Sequence, residues 1–112
     1  SIKYMKTLID EKSFGKILWM RGRYGKSVNK NFFNDWRSKR KYAGGGILID
    51  QGIHMLDLFL FFGGNFDKIH ASVSNLFWKL NVEDNSISNF LLKKGNKRTI
   101  CNKRQYCLYF RS

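Results

Sequence analysis

The sequence predicts an α+β domain, a mostly antiparallel sheet with helices packed on one face. Three observations lead there. Two segments carry apolar residues at helical spacing, three alternate with a period of two, and their order is helix, strand, long connection, helix, strand, strand. At 112 residues there is room for one domain.

Residues 2–12 read as a helix, since Ile2, Met5, Leu8 and Ile9 fall on one face. Gly15 stands where a helix-terminating glycine is expected. Residues 16–24 read as a strand, with Ile17, Trp19, Arg21 and Arg23 alternating with their neighbours. Residues 25–43 form a long polar and aromatic connection, and connections of that length inside a compact domain are usually functional. Gly44-Gly45-Gly46 leads into a helix from Ile47 to Phe62, closed by Gly63-Gly64, with Leu48, Gly52, Met55, Leu56 and Phe59 on its core face. Residues 67–80 and 84–94 read as strands, the second bounded by Gly95.

Charge is spread unevenly. The formal net charge is +13, yet residues 1–92 hold 14 basic and 8 acidic groups while residues 93–112 hold seven basic groups and no acid. Such a total favours anionic partners. One class of partner is nucleic acid, with Lys39, Arg40 and Lys41 on phosphates and Phe32, Phe33 and Trp36 stacking on bases, but no nucleic-acid motif is present. The longest apolar stretch, Ile53 to Phe62, contains His54 and Asp57 and falls short of the ~20 residues of a membrane span. With Lys3, Lys6, Asp10 and Glu11 near the start there is no signal pattern, so the expectation is a cytoplasmic protein that lies on no membrane. Cys101 and Cys107 match neither a redox pair nor a zinc spacing, so no metal site is expected and both are read as unpaired thiols.

The chemistry lies in Asp50 and His54. Four residues apart on a helix, they share a face about one turn from each other. A carboxylate near an imidazole fixes its tautomer and favours its protonated form, which suits proton transfer near neutral pH. Gly52 between them would let a substrate or another backbone come close. Two plainer readings compete: Asp50 as a helix N-cap, and His54 as a half-buried histidine with satisfied bonds. The three glycines alone do not make a dinucleotide loop, lacking its preceding strand and spacing.

The run GGGILIDQGIHMLDLFLFFGG resembles the GGGxLxDxGxHxxDLxxxxxG signature of the Gfo/Idh/MocA oxidoreductases, the family of glucose–fructose oxidoreductase and inositol dehydrogenase. The likeness continues on both sides, in Phe14-Gly15-Lys16-Ile17 with Arg21-Gly22-Arg23-Tyr24-Gly25, in Asn34-Asp35-Trp36-Arg37, and in Val82-Glu83-Asp84-Asn85. It covers about residues 2–95, the incomplete substrate and oligomerisation domain, and residues 96–112 are then a divergent basic tail, read as an out-of-frame or recombined end. A sheet cut short there would leave an unpaired edge.

The resemblance implies an NAD(P)-dependent oxidoreductase acting on a sugar, nucleotide-sugar or cyclitol hydroxyl, with NAD or NADP held by an N-terminal Rossmann domain that this stretch does not include. It implies His54 as the proton-transfer residue and Asp50 as its partner and a ligand of substrate hydroxyls. Trp36, Arg37 and Tyr24 would contact a sugar-like substrate, and the open sheet would pair with another copy or with a full-length relative. Without the dinucleotide domain the chain alone is expected to be inactive, because the cofactor carries the hydride chemistry. The alternative is a non-catalytic basic module that binds nucleic acid or a partner subunit.

Overall fold

The computed structural model describes residues 1–25, 27 and 29–92, together with the backbone of 105–111. Three helices, α1 (Ile2–Asp10), α2 (Arg40–Ala43) and α3 (Ile53–Gly63), accompany four strands, β1 (Trp19–Gly25), β2 (Phe66–Ser74), β3 (Asn85–Leu92) and β4 (Gln105–Arg111). The strands form one sheet in the order β1-β4-β3-β2. Only β1 and β4 are parallel; the other two pairings are antiparallel. The predicted α+β class with a mostly antiparallel sheet is what the chain adopts.

α1 ends earlier than its glycine suggests. Lys12 takes the left-handed conformation at φ 56°. Ser13 N–H then reaches the Leu8 carbonyl at 3.1 Å and Lys12 N–H the Ile9 carbonyl at 3.1 Å, a Schellman closure built without glycine. Gly15 closes the next turn instead, donating to the Lys12 carbonyl at 2.9 Å.

The core is small. Ile47, Phe59, Phe90 and Leu92 are buried together, with Ile17, Met20, Leu48, Met55, Leu56 and Phe66 packed around them. Phe90 takes Phe59 edge-on at 6.3 Å and Phe66 at 4.6 Å. Of the face expected for the second helix, Leu48, Met55, Leu56 and Phe59 pack here. On β3 the buried residues Ser86, Ser88, Phe90 and Leu92 alternate with Ile87, Asn89 and Leu91, which are half-buried or exposed. β2 is an edge strand whose Ile69 and Val73 stay more than half exposed.

Two expectations are corrected. Residues 25–43 are not structureless: 3₁₀ turns at Lys30–Asn34 and Trp36–Ser38 precede α2. Asn29 and Asp35 start these turns by accepting the N–H groups two residues on, of Asn31 at 3.0 Å and Arg37 at 2.9 Å, the local bonding that Asn and Asp favour. Second, the basic tail contains a strand. β4 lies between β1 and β3, with Tyr106, Leu108 and Phe110 in register with Phe90, Ser88 and Ser86. The run Tyr106–Phe110 is five apolar residues without alternation and without a β-branched residue, and the surrounding charge hides it. The reading of Cys101 as an unpaired thiol lies outside the described residues, as does the side chain of Cys107.

Residues 40–63 are, by length and composition alone, long and apolar enough to cross a membrane. The stretch breaks at Gly44, where φ is 79°, and Phe59 within it belongs to the core.

Candidate functional site

The helix that carries Asp50 and His54 is not uniform. Leu48–Gly52 winds as a π-helical turn and continues into α3. Such turns insert an extra residue and occur often at functional sites. Asp50 sits inside this turn, its N–H on the Gly46 carbonyl at 3.0 Å, so it is not an N-cap. His54 follows on the first turn of α3, exposed.

The turn is fixed from the side of β3. Glu83, two residues before that strand, accepts the Ile47 N–H on its carbonyl at 3.0 Å and the Leu48 N–H on its carboxylate Oε1 at 3.3 Å. Two N–H groups that a helix start leaves without partners are thereby satisfied. The backbones approach so closely that a Cβ on Gly46 would collide with the Glu83 carbonyl. The three glycines therefore serve chain packing: Gly44 supplies the positive φ that ends α2, and Gly46 the close contact.

Beside Glu83, Asp84 is buried, only 3% exposed. Its carboxylate accepts the backbone N–H groups of Leu76 (2.9 Å), Phe77 (2.7 Å) and Trp78 (2.8 Å) and the amide of Asn85 (2.6 Å). Burial pushes its pKa up, but the three backbone N–H groups and the Asn85 amide outweigh burial and hold the carboxyl below its ordinary value. Asp84 thus anchors the loop that leads from β2 to β3, with Asn75 bonded to the Leu80 carbonyl inside it.

These elements enclose a cleft of about 300 Å³. Asp50 and His54 line it from the helix, Glu83 and Asp84 from the approach to β3, and Trp36 and Arg37 from the second 3₁₀ turn. Asp50 is about one-third exposed, its Oδ2 accepting from the Gln51 amide at 2.9 Å and its Oδ1 facing Arg37 Nε at 3.8 Å. The Arg37 guanidinium lies 4.6 Å over the Trp36 ring and faces Asp35 Oδ2 at 3.5 Å. The spacing of Asp50 and His54 thus brings both to one cleft, together with Trp36 and Arg37. Tyr24, on β1 and partly exposed, is not among the residues lining it, and Gly52 is buried away from the cleft wall. Phe33 packs edge-on against Trp78 at 5.5 Å while Phe32 and Trp36 turn to the cleft, so the three do not form a stacking row.

What sequence reasoning missed is the work of Glu83 and Asp84. Their motif was visible, but their partners lie 35 positions away for Glu83 and six to eight for Asp84. The one local signal was a pair of acids directly before a strand whose first inward residues are serines.

The described residues do not fit the pyrophosphate of a dinucleotide. Such a group binds N–H donors at a glycine-rich helix start, and here the N–H groups of Ile47 and Leu48 are taken by Glu83, while Gly46 faces the Glu83 backbone and Gly45 the side chains of Ile49 and Glu83. Among the described residues, no group of three or more His, Cys, Asp or Glu side chains is placed to hold a metal ion.

Comparison with known proteins agrees with this geometry. The profile of the GFO/IDH/MocA C-terminal domain matches residues 2–106, which takes the match past residue 95 and into β4. Levoglucosan dehydrogenase from Pseudarthrobacter phenanthrenivorans is 32% identical over 76 residues, covering 66% of this chain and 20% of that protein. The structure of levoglucosan dehydrogenase in complex with NADH and levoglucosan superposes with a TM-score of 0.77 at 24% identity, over 95% of this chain and 29% of the other. The WlbA dehydrogenase from Bordetella pertussis, in complex with NADH and UDP-GlcNAcA, gives a TM-score of 0.80 at 17% identity, over 98% of this chain and 32% of the other. The chain spans between a fifth and a third of the length of these dehydrogenases. With the profile matching residues 2–106, the chain is a member of the GFO/IDH/MocA C-terminal domain family.

Proposed function

We propose that this chain forms the substrate-side wall of an NAD(P)-dependent oxidoreductase acting on a hydroxyl of a sugar-like ring. The observation that carries the reading is the meeting of Asp50 and His54 with Trp36 and Arg37 in one cleft of about 300 Å³. His54, exposed to the cleft, takes or returns the proton of the reacting hydroxyl at an imidazole nitrogen. Asp50 accepts hydrogen bonds from substrate hydroxyls, the role for which an ionised carboxylate is equipped. Trp36 offers an aromatic face and Arg37 donors on the adjoining side. When bound, a nicotinamide supplies the hydride chemistry, and its dinucleotide is held outside the described residues. Tyr24 is left a place on the sheet rather than at the substrate.

The relatives act on a sugar, and this supports the substrate class. Saturation-transfer NMR of the chain with levoglucosan tests it. Transfer to the ring protons that falls on Asp50→Ala is the expected result, and the lack of any transfer overturns the reading. The basic-module alternative predicts instead an affinity for single-stranded oligonucleotide that drops steeply with salt.

A further inference from the structure

We propose that the part of the substrate resting on this domain is an uncharged, hydroxylated ring, and that Asp35 sets this preference by pairing with Arg37, the one arginine among the described residues lining the cleft. The inference rests on the cleft being a substrate site for a hydroxyl-bearing ring, as proposed above.

At +13 the molecule as a whole attracts anions. The cleft has the opposite character. Among the described residues lining it, Asp50, Glu83 and Asp84 bring three carboxylates and Arg37 the one guanidinium, with no lysine. Arginine is the side chain best suited to grip a carboxylate or phosphate with two parallel N–H bonds. Arg37 is already shared: its Nη1 faces Asp35 Oδ2 at 3.5 Å, its Nε faces Asp50 Oδ1 at 3.8 Å, and its plane covers Trp36. Asp35 also accepts the Arg37 backbone N–H at 2.9 Å, so one residue sets both the turn and the direction of the guanidinium.

These pairs are about one-third exposed and each is individually weak. Their consequence is for selection rather than stability. An incoming carboxylate meets an Arg37 whose charge Asp35 and Asp50 already offset, in a cleft that Asp50 and Glu83 also line, so it gains little attraction and faces like charge. Specificity arises as much from such repulsion as from attraction. A hydroxyl meets no such conflict, since it donates to Asp50 and accepts from Arg37 at once.

The test uses the full chain at pH 8 and about 150 mM salt, where the Debye length is about 8 Å and the distant positive charges are largely screened. Dissociation constants are measured for levoglucosan and for D-glucuronate, on the unaltered chain and on Asp35→Asn. Asparagine keeps the acceptor for the Arg37 N–H and removes the charge; Asp35→Ser, which also accepts there, is the second variant should the first fold poorly. Levoglucosan is expected to bind at least about tenfold more tightly than glucuronate, with the Asp35 variant narrowing that ratio about threefold or more. Glucuronate binding as tightly as levoglucosan overturns the preference and leaves the substrate site standing. An unchanged ratio in both variants overturns the part given to Asp35. If neither sugar binds, the substrate site itself falls, and the inference with it.

Discussion

Asp50 and Asp84 are carboxylates on two walls of one cleft, and their surroundings divide their work. Asp84 is buried and accepts three backbone N–H groups and a side-chain amide, so its oxygens are committed to the loop before β3. Asp50, about one-third exposed, is met by the Gln51 amide and the Arg37 guanidinium, side chains rather than backbone. A carboxylate bonded to backbone builds the site; one bonded to side chains is available to a substrate. Sequence spacing marked the second and overlooked the first.

The sharpest way to break this contrast is Asp84→Ala. It leaves the N–H groups of Leu76, Phe77 and Trp78 without their acceptor; Leu76 and Phe77 are exposed and water can replace part of what is lost, so a cost of about 2–3 kcal/mol in all is expected. Urea unfolding measures it, and a loss under about 1 kcal/mol would show that the loop holds without its anchor. Next comes Gly46→Ala, whose methyl group collides with the Glu83 carbonyl. An expected cost of about 1–3 kcal/mol should appear as a lower melting temperature, together with weaker levoglucosan binding as the π turn moves.

Asp50→Asn should do the reverse of Asp84→Ala. Stability stays within about 0.5 kcal/mol while the dissociation constant for levoglucosan rises about tenfold. Equal loss of both quantities would erase the distinction between the two carboxylates.

Acid should single out Asp84 as well. Its folded-state pKa lies below the unfolded value of about 3.9, so the unfolded chain binds the proton more readily. The stability it contributes is complete above that unfolded value and fades as pH falls through the folded one. Urea midpoints should therefore drop below about pH 4, with a shallower fall in Asp84→Asn. The smallest effect is local: Glu83→Ala should speed amide exchange at Leu48 about tenfold, Glu83→Gln much less, and Ile47, bonded to the Glu83 carbonyl, should barely change in either.

The sequence made the segments with a clear period legible. Leu48, Met55, Leu56 and Phe59 pack on the core side as their spacing predicts, and Phe90 and Leu92 lie on the inward side of β3. The π turn was not legible, because the signal for it is Glu83 and Gly46 meeting across 37 positions rather than any local pattern. The same holds for Arg37, whose two carboxylate partners come from its own turn and from Asp50. β4 was hidden for another reason: in a stretch carrying seven basic groups, a short apolar run with no alternation stands out less than the charge.

The place of β4 sets a timetable for folding. Among the described residues β1 has no sheet neighbour but β4, and the first residue of β1, Trp19, pairs with Gln105. At about 5–20 residues per second, the 86 positions between them take a ribosome roughly 4–17 s to add. Through that interval β1 waits without its β4 partner, and once β3 is made it holds β2 on one side with the side that β4 takes still unclaimed. The sheet is therefore closed by a late, long-range step, which slows folding and lengthens the time its edges are open to other chains.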